Sequence, residues 1–292
     1  MSRQENMGKC LNAIMDLKGV DELKSTVKQL HIFLKNIKMF SVTNVVPPNY
    51  LWIAKRGGGI TTSVKTFTEY LYAARAIEFC GKVKSFEFKL GYIAPELFFS
   101  ELTRFDNLLS ALAGHHHRYK GVVCINIDEW LEHTGEVHFA HFLDYMASNS
   151  DRLLAIFCTY TDNKNNIEAV ETALAAHVRF ETLSLRFPDV PELVEFVESR
   201  FREGGGFTLT ENAKVLLSET IGEISVGKNF KGFKSVEQLA NDILYNILTT
   251  DLNDSKQISA EMIARYDKNS PYVKLAKSQI KKKTIGFTER SM

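Results

Sequence analysis

The sequence predicts an α/β protein: a parallel five-stranded sheet flanked by helices, followed by a smaller, all-helical C-terminal domain. Three observations predict this fold class. Short apolar segments alternate with helical periodicity up to residue 189, several of these segments are apolar throughout, and only helical patterns follow. Strands that are apolar on both faces are typical of parallel sheets covered by helices on both sides. The expected regions are an N-terminal helical segment (1–45), an α/β domain (46–189) and a helical domain with a basic tail (190–292).

Each element is predicted from its hydrophobic period and its flanking breakers. Strands are expected at 50–54, 85–90, 122–127, 153–159 and 181–186. A helix is expected before the first strand at 21–37, and further helices between the strands at 61–78, 96–113, 138–148 and 167–177. After Pro188 the pattern changes, and helices are expected without intervening strands at 191–203, 210–221, 235–250 and 259–266.

Composition excludes several classes of partner. The formal net charge of +1 gives no global reason to expect nucleic acid or an acidic membrane surface. Apolar runs fall well short of the roughly 20 residues that span a bilayer, and the first residues lack an apolar signal core. The four cysteines form no Cys-x-x-Cys pair, and Cys124 and Cys158 lie inside apolar runs, as small buried side chains do. Disulfides and zinc are therefore not expected, and a cytoplasmic location is predicted.

Two polar clusters are interpreted as solvent-exposed segments. The triplet His115-His116-His117 is interpreted as a polar surface loop, because adjacent residues cannot all face one metal ion on a regular element. The lysine-rich run from Lys274 to Lys283 is interpreted as a solvated helix or tail, with an electrostatic contact site as the alternative.

A glycine triplet between the first strand and the next helix indicates a phosphate-binding loop, although the triplet on its own could equally form a plain turn. Backbone N–H groups of such a turn, at a helix N-terminus, can surround phosphate oxygens. The residues expected to form it are Gly57, Gly58, Gly59, Ile60, Thr61 and Thr62, with the Thr61 hydroxyl as a ligand of Mg²⁺. Ile60 occupies the position where a phosphate-binding lysine normally stands. A register ending at Lys65 restores a lysine but requires Val64 where glycine belongs, so the first register is preferred.

Two carboxylates follow the apolar segment 122–127 and form the second motif. Asp128 is predicted to organise Mg²⁺ and its waters, and Glu129 to act as the general base for an attacking water. Ligands of open α/β sheets bind at the carboxyl ends of strands, which is where this pair lies. Alone, the pair could equally be an acidic helix cap, but it follows the glycine loop by about 70 residues, which makes the combination much more specific.

The order and spacing of these motifs resemble the AAA+ superfamily of P-loop NTPases, and in several places the CbbX/SpoVK clade, which contains red-type rubisco activases and sporulation stage V protein K. The segment 19–24 resembles the GLDxVK box of that clade, 159–162 its GYTDEM segment, 177–180 its RSRF segment, 187–189 its FPDY and 230–236 its FGNARxV. This resemblance covers residues 15–250 and implies the AAA+ fold with a degenerate Walker A motif.

The resemblance also implies roles for three further residues. Thr161 matches the sensor 1 position, which touches the γ-phosphate or the lytic water. Arg179 matches a finger arginine, while His177 replaces the first arginine of that segment. Lys234 stands where the sensor 2 arginine of the lid belongs. Read alone, each has a plainer interpretation: a turn residue, a surface ion pair and a solvated lysine, respectively. The segment 98–100 stands in the region of the pore loop.

The resemblance implies ATP or ADP with Mg²⁺ as cofactor, other AAA+ subunits in a homo- or hetero-oligomeric ring, and an unknown client protein. The missing lysine favours a nucleotide-responsive protein with weak or lost ATP hydrolysis, so whether the chain is an active ATPase stays open. One alternative is an AAA+-derived interaction scaffold that binds no nucleotide. The other is an active remodelling enzyme in which Lys55 or Lys65 replaces the missing lysine.

Overall fold

The computed structural model describes residues 3–41, 47–80, 85–92, 97–113, 118–227, 229–249, 256–269 and 273. The chain folds into two compact units. The first unit comprises Met1–Lys55 and Gly59–Arg186, and the second comprises Arg56–Gly58 and Phe187–Met292. The histidine triplet and the lysine-rich run lie outside the described residues.

The first unit contains a five-stranded sheet in which every neighbouring pair is parallel. Its strands are β1 (Asn49–Ala54), β2 (Ser85–Lys89), β3 (Gly121–Asn126), β4 (Leu153–Thr159) and β5 (Phe180–Leu185). The spatial order is β2-β3-β4-β1-β5, so β4 lies between β3 and β1. The predicted parallel sheet is confirmed, and the carboxyl ends of its five strands meet at one edge.

In the described part of this unit, six helices cover the two faces of the sheet. They are α1 (Arg3–Asp16), α2 (Asp21–Met39), α3 (Ile60–Ala74), α4 (Phe98–Ala113), α5 (Val137–Ser148) and α6 (Lys164–His177). Residues of α1, α2 and α3 form one core with Tyr50 and Trp52 of β1, whereas residues of α4, α5 and α6 form another with Leu51. Since successive side chains of a strand point to opposite faces, a doubly covered strand must be apolar throughout. Accordingly, all seven residues of β4 are buried.

Helix α3 ends at Ala74, four residues before the predicted end. Arg75 adopts a left-handed conformation (φ 53°), its N–H donates to Tyr72 O (3.2 Å), and the Ala76 N–H donates to Leu71 O (2.9 Å). A left-handed residue satisfies the last carbonyls of a helix and stops it. The sequence pattern could not show this end, because the left-handed residue is an arginine rather than the usual glycine.

The second unit contains α7 (Val190–Glu203), α8 (Glu211–Ser225), α9 (Phe233–Thr249) and α10 (Ala260–Asn269). Asp189 and Glu192 form a reciprocal capping box that fixes the start of α7. Two strands absent from the sequence prediction, β6 (Thr208–Leu209) and β7 (Gln257–Ile258), pair in parallel. Two residues are too few to leave an alternating hydrophobic pattern. Across the described residues of both units, no helix is long and apolar enough to cross a membrane.

Candidate functional site

The glycine loop connects the carboxyl end of β1 to the first residue of α3. Gly57 and Gly59 have φ angles of 91° and 85°, in the left-handed region that favours glycine. Gly59 is the N-cap of α3, and its carbonyl accepts from the Ser63 N–H at 2.9 Å. A glycine cap has no side chain with which to bond the first-turn N–H groups, and Thr61 in that turn is exposed. These N–H groups are therefore of the kind that binds anions at helix N-termini.

Close packing gives Gly57 a second reason to be glycine. A Cβ atom at Gly57 would lie 2.2 Å from the carbonyl oxygen of Lys231, and one at Gly232 would lie 2.6 Å from the carbonyl oxygen of Gly57. Two backbone segments of the second unit thus meet without room for a side chain on either. The glycine triplet is consequently not, by itself, evidence of phosphate binding.

Ile60 belongs to the hydrophobic core of the first unit. Its side chain is 5% exposed and joins the same core cluster as Val64 and Phe67, further along α3. The position expected to carry a lysine is therefore part of the packing beneath the helix. Lys55 and Lys65, the two lysines that flank the loop, are both exposed.

The turn after β3 orients the two acidic side chains. Asp128–Trp130 form a single 3-10 turn, and the Trp130 side chain, 1% exposed, anchors it. The Trp130 indole N–H donates to Gly91 O (3.1 Å), and its backbone N–H donates to Ile127 O (2.9 Å). These two hydrogen bonds hold the turn in one conformation. In that conformation the two carboxylates point to different neighbours.

Asp128 is directed toward the end of β4. Its Oδ1 accepts from the Thr159 hydroxyl and from the Tyr160 N–H, each at 2.9 Å. Its Oδ2 accepts from the Asn126 amide at 3.2 Å. Since β4 separates β3 from β1, Asp128 faces the side on which the glycine loop follows β1. Strand spacing places β1 and β3 about 10 Å apart at this edge.

Glu129 is directed the other way, toward the end of β2. Its Oε1 is ion-paired with Lys89, and its Oε2 accepts from the Tyr92 N–H at 3.0 Å. The Lys89 ammonium, followed by the Tyr92 N–H, holds the pKa of Glu129 below its ordinary value. The carboxylate is thus ionised, as a general base must be, but both of its oxygens are engaged on the side away from β4 and β1.

The three residues named through the resemblance lie in three different places. Thr161 follows β4, and its hydroxyl accepts from the Asn163 N–H (3.1 Å), as in a turn. Arg179 precedes β5 and is exposed at the amino edge of the sheet, opposite the carboxylates. Lys234 is exposed at the second residue of α9 in the second unit. The sheet therefore brings Thr161, but not Arg179, to the edge that holds Asp128.

The segment named for the pore loop forms the first turn of α4. Phe98 is 1% exposed and packs against Trp130, whereas Phe99 is 63% exposed. Only Phe99 of this aromatic pair is therefore presented to solvent.

Sequence reasoning missed the residues that hold the two carboxylates. Thr159 and Asn126 bind Asp128, and Lys89 binds Glu129. Each is a polar residue near the end of an apolar strand, which is the signal that could have marked them. Their partners, however, depend on which strands are neighbours, and strand order is not visible in a single sequence.

No family model matches the chain, and no curated protein matches it in sequence. Among solved structures it is similar to a FIGL-1 AAA domain in complex with ADP, with a TM-score of 0.52 and 15% identity over 87% of this chain and 82% of that one. Another structure of a FIGL-1 AAA domain gives a TM-score of 0.48 and 17% identity, over 89% and 86% of the two chains. The first likeness, with the strand order above, shows an AAA+ α/β fold.

Proposed function

We propose that this protein is a divergent member of the AAA+ ATPase group that binds ATP or ADP with Mg²⁺ and hydrolyses ATP weakly or not at all. The observation that carries the proposal is the placement of Asp128. Thr159 and Tyr160 hold this carboxylate at the carboxyl edge, facing the side where the glycine loop enters α3. A carboxylate and a helix N-terminus at one sheet edge suit a metal-bound polyphosphate.

The residues at this edge fit the nucleotide and its metal chemically. The N–H groups of 57–62 would surround phosphate oxygens, and the Thr61 hydroxyl with the Asp128 carboxylate would serve Mg²⁺, which prefers oxygen ligands. Bound Mg²⁺ would supply charge neutralisation at the phosphates. ADP is present in the solved FIGL-1 AAA domain to which the chain is similar, and this supports the choice of ligand.

Two observations support weak or lost hydrolysis. Ile60 is buried in the core, so no ammonium stands at its position. A charge-assisted contact of that kind contributes about 1.5–3 kcal/mol, or roughly ten- to a hundredfold in affinity. Glu129 is engaged by Lys89 and Tyr92, so activating a water would first require breaking this ion pair.

The proposed assembly is a ring with other AAA+ subunits, identical or paralogous, acting on or with a client protein. Arg179 would then reach the phosphates of a neighbouring subunit, as its exposed position permits. Such a contact joins two different surfaces of neighbouring subunits, and a heterologous contact of this kind can close into a ring.

One observation favours the scaffold alternative. Gly57 is required by its contact with Lys231 and Gly232 whether or not a phosphate binds. An AAA+-derived interaction module without nucleotide could therefore retain this glycine. The active-enzyme alternative relies on Lys55 or Lys65, since both are exposed near the loop.

Calorimetric titration with Mg-ADP and Mg-ATP tests the proposal. The wild type should bind, and Asp128→Ala should lose the Mg²⁺-dependent part of the affinity. Ile60→Lys should tighten binding roughly ten- to a hundredfold, because it restores the missing cation. Since Ile60 is buried among apolar side chains, this variant should also lower the free energy of unfolding by about 3–5 kcal/mol without ligand, because the buried ammonium then has no partner. Its folding is therefore checked first by circular dichroism.

Lys65→Ala is the control for register. It should leave the affinity unchanged if Gly57–Gly59 form the loop, and abolish binding if Lys65 is the phosphate lysine. If neither the wild type nor Ile60→Lys binds nucleotide, the scaffold alternative replaces the proposal.

A further inference from the structure

Helix α2 has two faces of different character. Four aliphatic residues at helical spacing anchor its inner face in the core of the first unit, namely Leu23, Val27, Leu30 and Leu34. Because this face already holds the helix in place, the opposite face is not needed for its attachment. The residues exposed on that opposite side are therefore free to serve an interaction.

Large apolar side chains are exposed toward the C-terminal end of α2. Ile32, Met39 and Phe40 are between 59% and 67% exposed. Ile32 and Met39 are seven residues apart, so they lie on the same side of the helix, about 10 Å from each other along its axis. Phe40 follows directly, as the C-cap. Single exposed apolar residues are ordinary, whereas a group of them rimmed by polar residues is typical of an interaction site.

The charged residues next to this group are basic. Lys28 and Lys35 are exposed, and the spacing of four residues from Lys28 to Ile32 and of seven to Lys35 places all three on one side of the helix. Within the described part of the chain, neither ammonium forms an ion pair with an acidic side chain. The net charge of +1 for the whole chain therefore conceals a local positive surplus.

Acidic residues are confined to the other end of the helix. Asp21 is ion-paired with Arg186, and Glu22 accepts from the Ser184 N–H. Beyond them, the sequence contains no aspartate or glutamate from residue 23 to residue 68. The exposed apolar group is thus accompanied by unneutralised lysines and by no carboxylate of its own helix.

A bilayer with anionic phospholipids fits this combination. Lysines are attracted to the anionic headgroups, and the apolar side chains can enter the boundary between headgroups and acyl chains. Nucleic acid would engage the lysines through its phosphates but would offer little to exposed aliphatic side chains. A bound peptide typically lies in a groove or along a strand edge, whereas the outer side of a helix is convex.

We propose that the outer face of α2, formed by Lys28, Ile32, Lys35, Met39 and Phe40, binds the surface of an anionic phospholipid bilayer. The helix lies parallel to the bilayer plane, with its lysines at the headgroups and its apolar side chains at the headgroup–acyl boundary. The contact is peripheral, and it requires neither nucleotide nor a second copy of the chain.

Flotation of the full chain with vesicles tests the contribution of charge. The wild type should bind phosphatidylcholine vesicles that contain phosphatidylserine far better than phosphatidylcholine alone, and salt should weaken this binding. Lys28→Gln combined with Lys35→Gln should weaken it about 25-fold, about fivefold for each lysine. Lys164→Gln combined with Arg265→Gln removes the same charge from exposed positions elsewhere and should bind like the wild type.

A second pair of variants tests the apolar contribution. Ile32→Ser combined with Met39→Ser should weaken binding to the anionic vesicles at least about tenfold, because two apolar side chains no longer leave water. Val215→Ser combined with Leu248→Ser is the matched control, since these side chains of α8 and α9 are comparably exposed. All four residues lie at the surface, so both variants should keep the melting temperature of the wild type, which circular dichroism checks first.

The proposal is overturned if the wild type does not bind the phosphatidylserine vesicles. It is equally overturned if a test pair and its control pair lose the same affinity. If the serine pair at positions 32 and 39 binds like the wild type, the apolar side chains do not enter the bilayer and the proposal also fails. A duplex oligonucleotide that then competes for the lysines would identify nucleic acid as the partner instead.

Discussion

The glycine loop follows β1 and Asp128-Glu129 follow β3, but the two segments are held in place by different forces. Backbone packing fixes the loop, where Gly57 meets Lys231 and Gly232 with no space for a Cβ atom. Side-chain hydrogen bonds and an ion pair fix the end of β3, where Asp128 and Glu129 are each engaged by neighbours.

This difference determines which side chains each segment needs in order to keep its conformation. The shape of the loop depends on main-chain conformation, so it does not require a charged side chain at position 60. Both carboxylates are present after β3, and their availability depends on partners that can exchange with water or ligand. Substitutions in the segment fixed by its backbone should mainly change the free energy of unfolding. Substitutions in the segment fixed by side chains should mainly change the pKa of a carboxylate or the affinity for a ligand.

The largest expected effect is at the loop. Gly57→Ala should lower the free energy of unfolding by about 2–4 kcal/mol, because a Cβ there collides with the Lys231 carbonyl at a positive φ. Gly222→Ala is the matched control in the same unit. It lies in α8 with open space around its Cβ position and should stabilise by about 0.5–1 kcal/mol. Urea unfolding measures both, and equal effects would refute the account of backbone packing.

An intermediate effect is expected at the end of β4. Thr159→Val keeps the volume of this fully buried side chain but removes the hydroxyl that donates to Asp128. It should destabilise by about 1–2 kcal/mol and weaken Mg²⁺-dependent nucleotide binding. Thr172→Val, which removes an exposed hydroxyl on α6, should stay within about 0.5 kcal/mol of the wild type. If the two variants unfold alike, the hydroxyl does not support Asp128.

The smallest effect on stability is expected at Lys89. Glu129 has a depressed pKa in the folded chain, so its contribution to stability is present above its ordinary pKa and is lost as pH falls through the depressed value. Lys89→Ala should raise the pKa of Glu129 and remove this part of the acid dependence. The stability change should be less than about 1 kcal/mol, because the pair is exposed and screened.

A pH titration of the Glu129 carboxyl by nuclear magnetic resonance tests whether Lys89→Ala raises its pKa. Lys120→Ala is its control, since it removes the ammonium beside Glu78 and should shift only that carboxyl. An unchanged pKa of Glu129 in Lys89→Ala would mean that the ion pair does not restrain this carboxylate.

The sequence by itself determined the strand and helix segments of the α/β region and the chemical types at its carboxyl edge. Strands that are buried on both faces, such as 153–159, could be recognised because such burial leaves a continuous hydrophobic run in the sequence. The glycine triplet could be recognised because it stands between a strand and a helix, and Asp128-Glu129 because the pair follows an apolar strand about 70 residues later. Local periodicity and residue type are properties that a single chain displays without knowledge of its neighbours.

Only the tertiary structure decided how those residues are used. The order β2-β3-β4-β1-β5 gives Asp128 the partners Thr159 and Tyr160, and gives Glu129 the partner Lys89. The same packing buries Ile60 but leaves Ile32 and Met39 exposed to solvent. These interactions join residues far apart in sequence, and their hydrogen-bond geometry and burial exist only once the sheet has assembled.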